Sequence, residues 1–84
     1  MINRITKEMV LSSAHYLPDH PKCGKMHGHN YKIIIHCAGD IKNGMLIDLN
    51  FPEIKKLDHD CLNEFIEYPS MENLAKYIFE KVLP

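Results

Sequence analysis

The stretch His27-Gly-His-Asn-Tyr-Lys-Ile-Ile-Ile-His-Cys37 contains the strongest strand signal in the chain. Three consecutive isoleucines lie near its centre, and β-branched residues favour strands. We therefore predict a strand from about residue 29 to residue 37. Side chains of a strand point alternately to opposite faces, so one face should carry His27, His29, Tyr31, Ile33 and Ile35.

The segments on either side of this strand are predicted to complete a small sheet. Residues 9–15 alternate in the same way, which predicts a strand with Met9, Leu11, Ser13 and His15 on one face. The segment 17–24 contains two prolines and a glycine and is predicted to be a loop. Beyond residue 39, the dipeptide Asn43-Gly44 is a strong hairpin signal and predicts residues 45–49 as a third strand.

Two helices are predicted to follow. Asn50 precedes Phe-Pro-Glu53, which is typical of a helix start with an N-cap, an early proline and a capping-box Glu. Pro69 should end the preceding segment and Ser70 should cap a second helix. Apolar residues then recur at helical spacing and are expected to face the core: Met71, Leu74, Ala75, Ile78, Phe79 and Val82.

This order predicts an α+β fold, an antiparallel β-sheet with two helices on one face, in a single domain over residues 1–84. Net charge is −1 and no basic run occurs, so a broad nucleic-acid-binding face is not expected. No stretch approaches the ~20 apolar residues of a membrane span. The polar N-terminus does not resemble a signal peptide, so we expect a cytoplasmic protein. A small core and an open sheet edge indicate association with further copies.

Six histidines in 84 residues make a metal site the first hypothesis to consider. His27 and His29 share a strand face, and His15 ends the preceding strand. If the two strands pair antiparallel, the three imidazoles converge. Three neutral imidazoles with one open position are typical of catalytic zinc. The alternative is an incidental triplet, because His-Gly-His alone is a weak signal. His20 and His36 lack such partners and are interpreted as a loop residue and an opposite-face residue without function.

Two further groups are candidates for proton transfer. Cys23 lies four residues before His27, and the pKa of a thiol falls near a metal. Asp58 can orient the neighbouring imidazole of His59 and raise its basicity if both lie in a loop. The alternatives are an incidental loop cysteine and a surface Asp-His pair. Cys37 and Cys61 are interpreted as packing residues, and the odd number of cysteines argues against a disulfide framework.

Taken in order, these blocks resemble one known family along nearly the whole chain. The blocks are Ala14-His15, Cys23-Gly-Lys-Met-His27-Gly-His29-Asn30, Gly44-Met-Leu-Ile-Asp48, Leu57-Asp58-His59-Asp-Cys-Leu62-Asn63 and Pro69-Ser-Met-Glu72-Asn73. They resemble the 6-pyruvoyl-tetrahydropterin synthase / 6-carboxy-5,6,7,8-tetrahydropterin synthase family. The three-residue gap between the cysteine and the first histidine of the second block resembles the bacterial queuosine-pathway branch.

The resemblance implies a zinc ion held by His15, His27 and His29. It also implies that Ser70 and Glu72 lie near a pterin-binding pocket. The implied fold is the tunnelling fold, in which subunits join their sheets into a trimeric barrel and two trimers form a hexamer. The active site would then lie between subunits.

The resemblance further implies that Cys23 is a proton-abstracting base, with His59 as its counterpart and Asp58 orienting that imidazole. The substrate would be 7,8-dihydroneopterin triphosphate, and the products 6-carboxytetrahydropterin, acetaldehyde and triphosphate. Alternatives are 6-pyruvoyl-tetrahydropterin synthesis, aldolase-type cleavage, a non-catalytic zinc- and pterin-binding protein, and a small module in which zinc serves the fold alone.

Two departures from the family pattern bear on these alternatives. The segment between Asp48 and Asp58 is shorter than usual in the family. Family members also continue beyond the second helix into a strand that carries a pterin-binding Glu, and no residue of this sequence matches that Glu. The resemblance therefore implies metal binding more directly than it implies catalysis.

Overall fold

A computed structural model describes residues 2–46 and 49–83. Its sheet has two long antiparallel strands, β1 (Asn3–His15) and β2 (His27–Gly39). Met9 lies opposite Ile33, and Leu11 lies opposite Tyr31. The predicted alternation is thus confirmed. Both strands extend beyond the predicted ranges, because the backbone ladder continues from the apolar centre through the polar residues as far as Asn3 opposite Gly39.

The predicted third strand, residues 45–49, lies partly outside the described residues, which exclude 47 and 48. The Asn43-Gly44 turn is present, with φ angles of 53° and 78°. Lys42 and Met45 exchange backbone hydrogen bonds of 2.8 and 3.0 Å across it. Positive φ at both central residues is the geometry that Asn-Gly favours. The pair forms an isolated bridge, so the sheet of the described residues has two strands.

The first helix, α1 (Phe51–Lys55), begins where predicted, but its predicted cap is wrong. The side chain of Asn50 makes no capping hydrogen bond. Its backbone N–H donates instead to the Val82 carbonyl at 2.7 Å, with φ −87° and ψ 67°, which is not the extended conformation of a capping residue. The carboxylate of Glu53 accepts from Lys56 Nζ at 2.6 Å rather than closing a capping box.

The segment after α1 follows the edge of β1 that does not pair with β2. The N–H of Ala14 donates to the Asp60 carbonyl at 3.0 Å, and the N–H of His59 donates to the Ser12 carbonyl at 2.6 Å. The buried Ser13 hydroxyl donates to the Leu57 carbonyl at 2.6 Å. A short 3₁₀ helix, Leu62–Glu64, comes next. These bonds hold residues 57–61 beside the end of β1 that carries His15.

The second helix, α2 (Met71–Val82), confirms the predicted cap, since Ser70 Oγ accepts from the Asn73 N–H at 3.1 Å. The prediction that its whole apolar stripe faces the core is wrong. The row Leu74, Ile78 and Val82 is buried, whereas Met71 and Phe79 are 69% and 74% exposed. The stripe is wider than the contact that α2 makes with the core. Its exposed side lines a groove of about 530 Å³ along β2.

The core lies between one face of the sheet and both helices, which confirms the predicted α+β arrangement. It consists of Leu11, Tyr31, Ile54, Leu57, Leu62, Leu74, Ile78 and Val82. The opposite face of the sheet has no such cover in the described chain, and Val10 there is 63% exposed. Within residues 2–46 and 49–83, no helix has the length and apolar character needed to cross a membrane.

Candidate metal centre

The strand register brings three histidines together at one end of the sheet. His15 lies directly opposite His27, and Ser13 lies opposite His29. Directly opposed residues share a face, as do residues two apart. The ligand nitrogens of His15, His27 and His29 consequently all lie within 4.8 Å of one another. The spatial convergence predicted from the sequence is therefore present.

The hydrogen bonds of two of these rings determine where their protons lie. Nδ1 of His15 is 2.7 Å from the Pro69 carbonyl oxygen, and Nδ1 of His27 is 2.7 Å from the Lys25 carbonyl oxygen. A carbonyl only accepts, so each Nδ1 carries the proton. Each neutral ring then has its lone pair on Nε2.

The two Nε2 atoms of His15 and His27 are 2.9 Å apart. Two lone pairs at this distance repel each other unless a proton or a metal cation lies between them. Histidines that ligate metals commonly donate the other ring N–H to a carbonyl, which fixes the ligating tautomer. The nitrogen ligands of tetrahedral zinc lie about 3.3 Å apart, given Zn–N bonds of about 2.05 Å. The three residues therefore fit a divalent metal ion that takes imidazole nitrogen.

His15 is 5% exposed, and its burial also favours metal binding at this histidine. Removal from water lowers the pKa of His15 because it disfavours the charged ring. The hydrogen bond to Pro69 opposes this shift, whereas proximity to His27 and His29 adds to it. The net lowering favours the neutral imidazole, which is the form that ligates metals.

Asp58 and His59 lie beside this centre. Asp58 Oδ2 is 2.9 Å from His59 Nδ1, and Asp58 Oδ1 accepts the Ser12 N–H at 2.8 Å. The bond from Ser12 is the main cause of the lowered pKa of Asp58, and the contact with His59 lowers it further. His59 has φ 59°, a rare conformation for a non-glycine residue. The side chain of His59 is exposed, and His59 and His29 are among the residues that line one cavity of about 610 Å³.

Cys23 lies in the loop between the two strands and is half-buried. Its N–H donates to His20 Nδ1 at 2.9 Å, and its carbonyl accepts from the Leu17 N–H at 2.8 Å. In the described part of the chain, no hydrogen bond joins Cys23 to Asp58 or His59. It also does not line the cavity that His59 shares with His29. Within the described residues, the three histidines thus converge and Asp58 contacts His59, whereas Cys23 is hydrogen-bonded within its own loop.

The sequence profile of the 6-pyruvoyl tetrahydropterin synthase family matches residues 4–84, nearly the entire chain. The chain belongs to the 6-pyruvoyl tetrahydropterin synthase family. Its two-stranded antiparallel sheet and two helices are consistent with a shortened tunnelling fold, as the sequence analysis predicted.

Curated relatives from this family include a protein of Archaeoglobus fulgidus named as a candidate 6-carboxy-5,6,7,8-tetrahydropterin synthase. This relative is 44% identical over 80 residues, which cover 84% of this chain and 68% of the relative. The 6-carboxy-5,6,7,8-tetrahydropterin synthase of Bacillus subtilis is 32% identical over 93% of this chain and 64% of its own length. The dihydroneopterin monophosphate aldolase of Pyrococcus furiosus is 33% identical over 69% of this chain and 56% of its own length. The chain thus spans about two thirds or less of these relatives.

The two residues that the family resemblance assigned to substrate binding lie at the start of α2. Ser70 caps this helix with its hydroxyl, as described above. Glu72 is exposed in the first turn. Pro69, immediately before the cap, is the residue whose carbonyl accepts from His15. The beginning of α2 therefore lies beside the metal centre, while contact of either side chain with a pterin stays a prediction.

Three hydrogen-bonding groups that bind the histidines or Cys23 were not predicted from the sequence. The carbonyls of Lys25 and Pro69 fix the His27 and His15 tautomers, and every residue has a carbonyl, so no sequence signal identifies them. His20, interpreted as a loop residue without function, accepts two backbone N–H groups through Nδ1. Its position in a turn-forming loop two residues before Lys22 was the available signal, because Asn and Asp accept backbone N–H groups at that spacing.

Proposed function

We propose that this protein is a zinc-dependent 6-carboxy-5,6,7,8-tetrahydropterin synthase that acts on 7,8-dihydroneopterin triphosphate in the cytoplasm, within queuosine biosynthesis. One observation carries the metal part of this proposal, namely the 2.9 Å separation of the Nε2 atoms of His15 and His27, both of which carry a lone pair. The names of the Archaeoglobus and Bacillus relatives support the reaction.

In this proposal His15, His27 and His29 hold the zinc ion. Three histidine ligands leave a coordination position open, as in catalytic zinc sites. Zinc bound there would supply a Lewis acid for a substrate oxygen. The protein contributes the orientation of the ligands, since the Pro69 and Lys25 carbonyls hold two of the rings with Nε2 turned toward the common point.

Cleavage of a carbon–carbon bond in the substrate side chain requires that protons be removed and returned. We assign the removal to the Cys23 thiolate and the complementary transfer to the His59 imidazole. The carboxylate of Asp58, 2.9 Å from His59 Nδ1, orients that ring for the transfer. Ser70 and Glu72 would contact the pterin from the start of α2.

The proposal includes a homo-oligomer, a trimer or a hexamer, with the active site between copies. Cys23 and His59 share no hydrogen bond within the described residues of one copy, so a neighbouring copy can supply the missing partner. The outer edge of β2 pairs with no strand of the described chain. Beside it lies the groove that carries the exposed Met71 and Phe79. An unpaired strand edge next to an apolar groove favours association.

A second candidate function is aldolase-type cleavage of a dihydroneopterin phosphate. The similarity to the Pyrococcus furiosus aldolase favours it, although that match covers a smaller share of this chain. Both reactions start from a reduced pterin with a phosphorylated side chain, and they differ in the products. A non-catalytic zinc- and pterin-binding protein and a 6-pyruvoyl-tetrahydropterin synthase are the remaining alternatives.

The test is an assay of the purified protein, after its zinc content is measured, on 7,8-dihydroneopterin triphosphate. We expect acetaldehyde and 6-carboxytetrahydropterin, with loss of both after EDTA treatment and recovery with added zinc. Glycolaldehyde phosphate from dihydroneopterin monophosphate would favour the aldolase reaction. Zinc near one ion per chain without any product would support the non-catalytic alternative.

A further inference from the structure

The loop between β1 and β2 encloses Cys23 in a network of local hydrogen bonds. The Leu17 N–H donates to the Cys23 carbonyl at 2.8 Å, and the His20 N–H donates back to the Leu17 carbonyl at 3.1 Å. Asp19 has φ 64°, which allows the chain to reverse there. A Cβ at Gly24 would lie 2.8 Å from the His20 carbonyl oxygen, so only glycine fits the close approach.

Among the described residues, the side chain that takes part in this network is that of His20. Its Nδ1 accepts the N–H of Lys22 at 3.1 Å and the N–H of Cys23 at 2.9 Å. Only the nitrogen that carries the lone pair can accept, so Nδ1 is unprotonated and the proton of the neutral ring lies on Nε2. Both backbone polar groups of Cys23 are therefore bound, the N–H by His20 and the carbonyl by Leu17.

We infer that His20 is a positioning residue for Cys23. By accepting the N–H groups of Cys23 and of the preceding Lys22, it holds the cysteine at a set place relative to the metal centre. The loop runs from His15 to His27, two of the three histidines of that centre. Because the loop has internal hydrogen bonds and is anchored at both ends by strands, the backbone of Cys23 has little room to move. Misplacement of a reacting group by about 1 Å can cost on the order of 100-fold in rate, so such restraint affects turnover.

This inference rests on the proposed role of Cys23 as a base, and two variants separate the acceptor from the ring. His20→Asn places Oδ1 where Nδ1 of His lies, one bond beyond Cγ, at the spacing from which Asn accepts backbone N–H groups. His20→Leu has similar bulk but no acceptor. His20→Gln, which moves the acceptor one carbon further, replaces the Leu variant if that protein does not fold.

The first readout is alkylation of Cys23 by iodoacetamide, measured by peptide mass spectrometry on the zinc-loaded protein. We expect several-fold faster alkylation in His20→Leu, because local opening of the loop exposes a half-buried thiol. The rate in His20→Asn should return toward that of the unmodified sequence. Cys37, which lies within β2, serves as the internal control and should not change.

The second readout is turnover of 7,8-dihydroneopterin triphosphate. We expect kcat to fall on the order of tenfold or more in His20→Leu, with zinc content unchanged and KM little affected, and to recover in His20→Asn. Unchanged Cys23 alkylation in His20→Leu, or equal defects in both variants, would overturn the inference, as would altered alkylation with normal kcat. If the unmodified protein has no turnover, the proposed function fails, whereas the alkylation comparison still decides whether His20 holds Cys23.

Discussion

His15 and His27 each use their two ring nitrogens differently. Nδ1 donates to a carbonyl, of Pro69 and of Lys25 respectively, and Nε2 points toward the other ring. If Nδ1 instead accepted a hydrogen bond, the proton of the neutral ring would lie on Nε2, and Nε2 would have no lone pair for a cation. The two carbonyls therefore select the tautomer that binds metal. The contribution of each histidine can be tested one residue at a time.

Replacing His27 by Ala should abolish stoichiometric zinc binding, because two imidazoles and water hold zinc more weakly than three imidazoles. The measurement is zinc per chain by mass spectrometry after dialysis. His36→Ala is the matched control, since this exposed histidine on the opposite face contacts Thr6 Oγ1 at 3.2 Å and lies far along β2 from His27. Full zinc retention in His27→Ala would exclude this residue as a ligand.

The metal-free protein should lose stability as the pH falls below 6.5, the ordinary pKa of His. In the folded chain the pKa of His15 is lowered, chiefly by burial. Between that lowered value and 6.5, the unfolded chain binds a proton that the folded chain does not. Stability therefore rises with pH across this window and is fully present above it.

Urea denaturation of the zinc-free protein at pH about 7.5 and at pH about 5.5 measures this effect. A His15→Gln variant should show a smaller loss between the two conditions, because Gln does not titrate. An equal loss in both proteins would mean that the pH dependence originates in other groups.

At the scale of elements, hydrogen bonds tie both ends of α2 to other parts of the chain, in addition to the packing of its buried row against the core. Its first turn, capped by Ser70 and preceded by Pro69, lies beside His15. Its last residue, Val82, accepts the N–H of Asn50 just before α1. The helix thus connects the metal end of the sheet with the start of the other helix. A weakened first turn should affect both the stability of the fold and the support of His15.

Replacing Ser70 by Ala should lower the free energy of unfolding by about 1 kcal/mol, the usual cost of losing an N-cap hydroxyl. Ser70→Asp keeps an acceptor for the Asn73 N–H and should be close to neutral for stability. Urea denaturation of the zinc-free proteins measures both. If Ser70→Ala were as stable as the original sequence, the hydrogen bond to Asn73 would not contribute to folding.

At the scale of the whole molecule, the sheet is covered on one face only. The longest dimension of the described chain is 49 Å, against 19 and 18 Å for the other two. Few side chains are fully enclosed in so elongated a shape, and several large apolar ones are exposed, including Val10, Met71 and Phe79. A chain of this size buries only a modest fraction of its surface alone. These exposed residues lie where further copies of the chain could cover them.

Replacing Phe79 by Ser should shift the protein toward smaller species, because this side chain is 74% exposed in the groove beside β2. Light scattering coupled to size-exclusion chromatography measures the shift. Tyr68→Ser is the matched control, since it removes another exposed aromatic ring that lies outside this groove. Identical masses for all three proteins would place Phe79 outside any interface between copies.

The convergence of the histidines could be predicted because it depends on strand periodicity. His27 and His29 are two residues apart, so any strand through them puts both rings on one face. The Ser70 cap is similarly local, and it too is confirmed. The prediction that Phe79 faces the core was wrong, because an apolar stripe on a helix does not show how much of that stripe the rest of the fold covers. The cap predicted at Asn50 failed because a backbone contact with Val82 came from a distant part of the chain.

The sequence by itself determined the order of the two paired strands and the two helices, the family and the face on which the three histidines lie, because these follow from short-range spacing and from motifs. Only the tertiary structure decided which nitrogen of His15 and of His27 faces the common point, since that depends on the carbonyls of Pro69 and Lys25. It likewise decided that His20 Nδ1 accepts the N–H of Cys23 and that half of the α2 stripe is exposed. Backbone carbonyls and N–H groups are the same in every residue, so the fold alone selects which of them a side chain meets.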